Sequence, residues 1–310
     1  MSRAGTVALL GRPNAGKSTL LNALVGEKVA IVSAKPQTTR HRIAGIVTEE
    51  RGQMVVFDLP GVHRPLHRLN AQMMHLLRDT LREVDVVVQL FDATQPPGGG
   101  EEFVVNLVGD VDAPVLLVAN KIDCTEASAH LDERVAFYAA RRSYYAVQAV
   151  SALRGDGLPE VKRVLFDLLP EAEPLVEPSW TTTQSERFFV AELIREALLE
   201  RVEDELPFTT AVHLRDFSEE GTGDAPRLRI TADLVVDRES QKGIVVGKRG
   251  AMIRAIGTAA RAQIEALLGA GVFLDLRVKA RPGWREDPRF LAELDPAEAI
   301  WASPSEAGEP

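Results

Sequence analysis

Short apolar runs alternate with amphipathic stretches up to about Leu169. The apolar runs predict buried strands at Val7–Leu10, Met54–Phe57, Val84–Phe91, Val115–Ala119 and Tyr144–Val150. The amphipathic stretches predict helices at Lys17–Val25, Leu69–Arg82, Phe103–Val108, Leu131–Arg142 and Leu158–Leu169. Strands that alternate with helices form a mostly parallel sheet, so an α/β domain is expected here. Ile43–Thr48 is expected to pair with Gln53–Asp58 as an antiparallel hairpin at one edge.

The pattern changes after Leu169. Three prolines in PEAEPLVEPS exclude a regular helix, so residues 171–182 are predicted to be a linker. Beyond it the sequence predicts an α+β domain, whose elements are a helix at Gln184–Glu205, strands at Thr209–Asp216 and Leu228–Val235, two helices around Gly247–Gly250 and a strand at Val272–Ala280. The predicted domains are therefore residues 1–170 and 183–290, with a tail at 291–310 whose Pro, Ser and Glu content predicts disorder.

Bulk composition excludes some classes of protein. The chain has 310 residues, of which 45% are hydrophobic and 26% charged, as in soluble globular proteins. No apolar run approaches the roughly 18 residues that a membrane-spanning helix needs. There is one cysteine, so an intrachain disulfide cannot form, and no secretion signal is visible. These features predict a cytoplasmic protein.

The distribution of charge matters more than its sum. The net charge of −9 argues at first against a nucleic-acid partner. From Lys242 to Arg285, however, nine Lys or Arg stand against two acids, a local balance of +7. From Phe290 to Pro310 there are five acids and no Lys or Arg. The average therefore conceals a basic region beside an acidic tail.

A phosphate-binding loop is predicted between the first strand and the first helix. The run GRPNAGKS fits G-x-x-x-x-G-K-[ST] at the place where this motif belongs. Its glycines let backbone N–H groups wrap around phosphates, Lys17 would hold the terminal phosphates, and Ser18 would ligate Mg²⁺. The residues expected to bind nucleotide here are Gly11, Arg12, Pro13, Asn14, Ala15, Gly16, Lys17, Ser18 and Thr19.

A base-recognition motif follows an apolar strand at Asn120, Lys121, Ile122 and Asp123. A carboxylate placed like Asp123 accepts from guanine N1–H and N2–H₂, a pair of donors that adenine lacks. Ser151, Ala152 and Leu153 follow the next strand and are expected to offer a backbone N–H to guanine O6. Together with the upstream loop these motifs predict GTP and GDP as ligands, and they argue against a P-loop ATPase or kinase.

A second phosphate-sensing motif is formed by Asp58, Leu59, Pro60 and Gly61, which fit D-x-x-G after a strand. Asp58 would reach Mg²⁺ through water, and Gly61 would sense the γ-phosphate. In the loop PQTTR we favour Thr39 over Thr38 as a further Mg²⁺ ligand. Val62 stands where many GTPases carry a water-orienting Gln, and an apolar side chain cannot orient water. Hydrolysis is therefore expected to be slow unless something else completes the site; His63 either positions water or is an ordinary surface residue.

The run GKRG in the second half predicts an RNA contact. A G-x-x-G turn between two helices lets a nucleic-acid backbone approach closely, and the two middle residues meet phosphate. Here both middle residues are basic, whereas an ordinary turn between helices would not need this charge. The expected RNA-binding residues are Gly247, Lys248, Arg249 and Gly250, with Lys242, Arg254, Lys279 and Arg281 helping if they share a face. The α-β-β-α-α-β order resembles a type II KH domain.

The chain as a whole resembles the Era family of ribosome-assembly GTPases, within the TrmE-Era-EngA-like superfamily. The resemblance runs from about residue 5 to 290 and is carried by GRPNAGKS, PQTTRHRIAGI, DLPGVH, NKID and SAL, and by QSERFFVAELIREALLE, ELPFTTAV, KGIVVGKRGAMIRAIG and WREDPRFLAEL. It implies a P-loop GTPase domain followed by a KH domain. It also implies Mg²⁺, the 3′ region of small-subunit ribosomal RNA and the 30S subunit as partners.

The same resemblance implies two finer properties. Members of this group can use an Asn at the position of Asn14 to ligate a K⁺ ion that replaces an arginine finger. They also associate peripherally with the bacterial membrane. Leu59 stands where the family usually has Thr, at a variable position of its motif. The competing hypothesis is a signalling or membrane-surface GTPase whose second domain binds protein or lipid.

Overall fold

The computed structural model describes residues 2–61, 67–220 and 227–294. Its contacts divide the chain into two compact units. The first takes in the described residues of 1–32, 39–66 and 70–183, and the second takes in those of 33–38, 67–69 and 184–310. Val62, His63 and the predicted tail beyond Leu294 lie outside the described residues.

In the described part of the first unit, one sheet contains six strands in the order β2-β3-β1-β4-β5-β6. The strands are β1 Arg3–Leu10, β2 Ile43–Glu49, β3 Gly52–Asp58, β4 Val86–Asp92, β5 Val115–Asn120 and β6 Ala146–Val150. All neighbouring pairs are parallel except β2 and β3, which pair antiparallel from Ile43 opposite Asp58. The predicted α/β class and the predicted hairpin are confirmed.

Helices cover this sheet and complete its core. They are α1 Lys17–Val25, α2 Arg68–Glu83, α3 Gly99–Gly109, α4 Thr125–Ala139 and α5 Leu158–Leu168. The central strands are buried almost throughout, as expected where helices cover both faces of a parallel sheet. The loops after β1, β3 and β5 leave the same edge of the sheet, because parallel strands share the direction of their carboxyl ends. Three of the predicted motifs are thereby brought together.

The predicted linker pairs with the sheet of the first unit. Gln53 is fully buried, and its amide donates to Val176 O at 3.0 Å and accepts from Val176 N at 3.0 Å. Further along, Ile46 N donates to Thr181 O at 2.8 Å, and the Thr182 hydroxyl donates to the Ala44 carbonyl at 2.6 Å. Residues 170–182, called the strap below, thus begin beside the start of β1, where Ala4 N donates to Pro170 O at 3.1 Å, and reach the open edge of β2 at Thr181 and Thr182.

The second unit has a three-stranded sheet within the described residues, in the order β7-β8-β9. Its elements are α6 Glu186–Leu199, α7 Leu206–Thr209, β7 Thr210–Glu220, β8 Arg227–Val236, α8 Glu239–Val246, α9 Ala251–Leu268, β9 Gly271–Ala280 and α10 Pro288–Leu294. Strands β7 and β8 are antiparallel, and β8 and β9 are parallel. Helices α6, α8 and α9 pack with these strands. The order matches the predicted α+β domain.

Two predictions about the second unit were wrong in detail. The helix expected at Gln184–Glu205 begins at Glu186 and ends at Leu199. Asp204 takes a left-handed φ of 54° between α6 and the short helix α7, which has Pro207 in its first turn. Helix α10 was not predicted; it is preceded by Trp284, which is fully buried and donates its Nε1–H to Thr209 O at 3.0 Å. Among the residues that the structure describes, no helix is long and apolar enough to cross a bilayer.

Candidate nucleotide and RNA sites

The loop from Gly11 to Ser18 is held by close backbone approaches. A Cβ atom at Gly16 would come within 2.2 Å of Asn120 Nδ2, and one at Gly11 within 2.4 Å of Leu90 O. Asn120 donates from Nδ2 to Ala15 O at 2.9 Å, so the N-K-x-D motif supports this loop directly. Within the described residues, no side chain caps the N terminus of α1. Its first N–H groups can therefore donate hydrogen bonds to a phosphate.

Lys17 is a buried cation at this loop. It is 6% exposed, and its Nζ donates to the carbonyls of Gly11 and Arg12, each at 3.3 Å. Burial lowers the pKa of Lys17, while the charges of Asp58 and Glu101 act in the opposite direction. A lysine in this position can exchange carbonyl contacts for phosphate oxygens.

Ser18, Thr39 and Asp58 bring three oxygen donors together. Asp58 Oδ2 accepts from Ser18 Oγ at 2.5 Å and from Thr39 Oγ1 at 3.1 Å, and the two hydroxyl oxygens are 3.0 Å apart. Asp58 Oδ1 is buried and has no hydrogen-bond partner within the described ranges. Burial raises the pKa of Asp58, and Lys17 opposes this shift. Oxygen donors with an unpaired buried carboxylate oxygen fit Mg²⁺.

Of the two threonines weighed for this role, the structure places Thr39 at the cluster. The Thr38 hydroxyl donates instead to Lys35 O at 2.6 Å. Gly61 lies against the phosphate-binding loop, because a Cβ there would come within 3.0 Å of the Pro13 backbone. Leu59 and Pro60, which lie between Asp58 and Gly61, are buried.

The base-recognition motif is assembled after β5 and β6. Asn120 accepts from Ala152 N at 3.0 Å, so the same residue ties the 151–153 segment to the phosphate-binding loop. A hydrogen bond from Ser151 is the main cause that lowers the pKa of Asp123, which keeps its carboxyl ionised. Arg154 Nε lies 3.8 Å from Asp123 Oδ2, a neighbour that sequence reasoning missed. Leu153 is 80% exposed.

Lys121, Ile122 and Thr19 complete the predicted nucleotide residues. Lys121 takes a left-handed φ of 70° and places its Nζ 2.5 Å from Asp92 Oδ2. Ile122 N donates to Val150 O at 3.2 Å, which joins the two base-recognition segments. Thr19 follows Ser18 in the first turn of α1.

The GKRG turn of the second unit has the backbone that its glycines predict. Gly247 has a φ of 73° and Gly250 a φ of 75°, and a Cβ at Gly247 would come within 2.6 Å of Met252 Cβ. Arg249 takes the left-handed region too, with a φ of 53°. Lys248 and Arg249 are both exposed. The turn therefore presents two cations between glycines that leave room for a polymer backbone.

A groove of about 410 Å³ runs from this turn between α9 and β9. It is lined by Gly250, Ile253, Arg254, Gly257, Thr258, Arg261, Leu274, Asp275 and Leu276. Apolar and small residues thus share the groove with two arginines. Arg261 was missed by sequence reasoning, although its spacing of seven from Arg254 places both on one helix face.

The other predicted helpers are engaged elsewhere. Lys242 Nζ lies 2.8 Å from Glu239, and Lys279 Nζ lies 2.8 Å from the buried Asp233. Arg281 pairs with Asp287 at 2.6 Å. Its guanidinium also lies over Phe290, at 3.9 Å from the ring centroid. Of the four helpers, all within the described ranges, the structure brings Arg254 alone into the groove. The net local charge could not distinguish these positions, because it ignores which side of a strand each residue occupies.

Comparisons with known proteins agree with both units. Residues 6–121 match the family model described as 50S ribosome-binding GTPase, and residues 211–285 match a KH domain. GTPase Era of Geobacter metallireducens is 44% identical over 292 residues, which cover 94% of this chain and 97% of that protein. GTPase Era of Heliobacterium modesticaldum is 40% identical, with 93% and 95% covered.

Two solved structures resemble the whole chain. A point variant of Aquifex aeolicus Era bound to GDP·AlF4⁻ is 34% identical with a TM-score of 0.86, covering 94% of this chain and 98% of that one. Era in complex with MgGDPNP and nucleotides 1506–1542 of 16S ribosomal RNA is 34% identical with a TM-score of 0.89, covering 95% and 99%. The chain contains a P-loop GTPase domain and a KH domain, and its relatives are similar to it over nearly their full length. It therefore belongs to the Era family of GTPases.

Proposed function

We propose that this GTPase binds the 3′ region of small-subunit ribosomal RNA through its KH domain and acts in maturation of the 30S subunit. GTP hydrolysis would switch the RNA-bound state. The observation that carries the proposal is the GKRG turn at the head of the α9–β9 groove. Cations at the turn suit phosphates, and the small and apolar lining suits unstacked bases of a single strand.

The RNA assigned here is supported by a relative. The Era structure with nucleotides 1506–1542 of 16S ribosomal RNA covers 95% of this chain. The RNA contacts proposed from this chain's own geometry are Lys248 and Arg249 at the turn, and Arg254 and Arg261 along α9. A cytoplasmic location follows from such a partner. Peripheral contact with the membrane stays a prediction.

The RNA assignment is tested by titrating the full chain, loaded with a non-hydrolysable GTP analogue, into labelled RNA of this region. A shuffled RNA of equal length and composition is the control. We expect the matched RNA to bind at least about tenfold more tightly, because base edges must be read in the groove. Equal binding of both RNAs would reject the specific target. Absence of binding to either would favour a protein or lipid partner.

The proposed roles in the nucleotide site follow the geometry above. Lys17 and the N terminus of α1 would hold the phosphates, and Asp123 would read guanine. Ser18, Thr39 and Asp58 would hold Mg²⁺, directly or through water. A Mg²⁺ ion held there would supply positive charge against the charge that develops on the phosphates during hydrolysis. The side chains then position the phosphates.

Potassium is expected to accelerate hydrolysis relative to sodium. Asn14 takes a left-handed φ of 65° in the phosphate-binding loop, a conformation that Asn tolerates. We propose that its side-chain oxygen holds K⁺ against the phosphates and so stabilises charge there. Turnover in matched KCl and NaCl buffers should differ about tenfold or more. Asn14→Ala should remove the difference, and identical rates in both salts for the unchanged protein would leave Asn14 as a loop-shaping residue.

A further inference from the structure

Helix α3 carries a buried acid to the start of the phosphate-binding loop. Glu101 is 7% exposed, and its Oε1 lies 3.9 Å from Arg12 Nη1. The Arg12 side chain crosses the helix at Gly100, where a Cβ atom would come within 2.5 Å of Arg12 Nε. The guanidinium is therefore seated in the space that a glycine leaves open.

Glu101 is poorly satisfied for a buried carboxylate. Its Oε2 has no hydrogen-bond partner in the part of the chain that the structure describes. Burial is the main cause that raises the pKa of Glu101, while a hydrogen bond from the buried Tyr138 hydroxyl and the charges of Arg12 and Lys17 lower it. Burying a carboxylate without full hydrogen bonding costs stability. Tyr138 accounts for one contact of this acid, and Arg12 is its cationic neighbour.

The Arg12 backbone supports the loop that Glu101 faces. Arg12 O accepts from Lys17 Nζ at 3.3 Å and from Ala15 N at 3.3 Å. The position of this carbonyl therefore affects both the turn of the loop and the place where the Lys17 ammonium rests. A contact that holds the Arg12 side chain in place therefore also restrains the Arg12 carbonyl.

We propose that Glu101 is a positioning residue for GTP hydrolysis and that it acts through Arg12. The ion pair holds Arg12 across Gly100 and thereby fixes the first turn of the phosphate-binding loop beneath Lys17. The inference rests on the proposed role of residues 11–18 in holding the GTP phosphates. Glu101 touches no phosphate in this scheme, and its contribution is to the geometry that Lys17 presents.

If Glu101 is a positioning residue, its replacement should change kcat and nucleotide affinity in different ways. Loss of either partner of the ion pair should lower kcat, because small misplacements of a phosphate-holding group are costly to the transition state. Nucleotide affinity should instead follow local charge. Glu101→Gln removes an anion near the phosphates and should tighten GDP binding, whereas Arg12→Ala removes a cation and should weaken it.

Three variants and one control test this pattern in the full-length protein. We expect Glu101→Gln, Arg12→Ala and Gly100→Ala each to lower kcat by about tenfold. GDP binding should be about two- to fivefold tighter in the first variant, weaker in the second and unchanged in the third, which displaces Arg12 without altering charge. The control is Glu102→Gln. Its side chain is 53% exposed and pairs with Arg141, so neither constant should change.

The double variant Arg12→Ala, Glu101→Gln completes the test. Its kcat should match that of the single variants, because two residues that act as one unit do not add. Additive losses, or a kcat loss in Glu101→Gln that Arg12→Ala and Gly100→Ala do not share, would overturn the inference. If Glu101→Gln fails to fold, a wild-type rate in Gly100→Ala overturns it equally. Undiminished GTP binding by a Lys17→Ala variant would instead overturn the proposed nucleotide site.

Discussion

Replacement of Asp123 by Asn is expected to transfer nucleotide preference from guanine to xanthine. The Asp123 carboxylate accepts from guanine N1–H and N2–H₂, whereas xanthine carries a carbonyl oxygen at position 2 that needs a donor. The Asn amide supplies one donor and one acceptor and therefore matches xanthine. Sites that leave a buried polar group unpaired discriminate by about 10⁴-fold, so GTP affinity should fall on this scale. Competition titrations of GTP, XTP and ATP against a labelled guanine nucleotide measure the change.

Two neighbours of Asp123 define its charge in the unchanged protein and provide a control for this test. The hydrogen bond from Ser151 lowers the pKa of Asp123, so the carboxylate is ionised at neutral pH in the unchanged protein. Arg154→Ala is the companion variant, since Arg154 lies 3.8 Å from the carboxylate without belonging to the motif. It should alter affinity but keep the preference for guanine. An Asp123→Asn protein that still prefers GTP to XTP would contradict the proposed base site.

Charge reversal at the GKRG turn is expected to give the second largest effect. Lys248→Asp and Arg249→Asp together place two anions where two phosphates are proposed to lie. We expect RNA affinity to fall by about a hundredfold or more near 0.1 M salt. The log–log salt dependence should flatten by about 1.4, since each lost contact on a single strand contributes about 0.7. Fluorescence anisotropy with single-stranded RNA at several salt concentrations measures both quantities.

The control for this variant is a double reversal of the same charge on the first unit. Arg78 and Arg82 are exposed on α2 and lie on one helix face. Arg78→Asp with Arg82→Asp changes net charge equally and should leave the salt slope unchanged. GTP affinity should be unaltered in the GKRG variant. If the GKRG variant kept the original RNA affinity and salt slope, the turn would have a structural role and no role in RNA binding.

Motifs whose role depends on the backbone geometry of a loop were predictable from the sequence. The spacing of Gly11, Gly16, Lys17 and Ser18 specifies a loop shape, and the structure gives those glycines close approaches that leave no room for a side chain. Asp58 and Asp123 were predicted because each follows an apolar run, which places it at the carboxyl end of a parallel strand. The strand order brings these ends together without any information from distant side chains.

Contacts between distant side chains were not predictable in this way. Glu101 reads from the sequence as an ordinary acid just before the predicted helix Phe103–Val108, and nothing local links it to Arg12, 89 positions earlier. Lys279 and Arg281 carried the right charge, but their pairing with Asp233 and Asp287 depends on how β9 lies beside β8 and α10.

The strap has a practical consequence for separating the two units. A fragment that stops at residue 170 would leave the buried Gln53 amide without Val176 and would uncover the β2 edge, which could then pair with other molecules. Losing this pair of hydrogen bonds should lower the free energy of unfolding by about 1–3 kcal/mol. A fragment that ends at Thr183 keeps both. Urea denaturation and light scattering should therefore find residues 1–183 stable and monomeric, and residues 1–170 weaker and prone to aggregate.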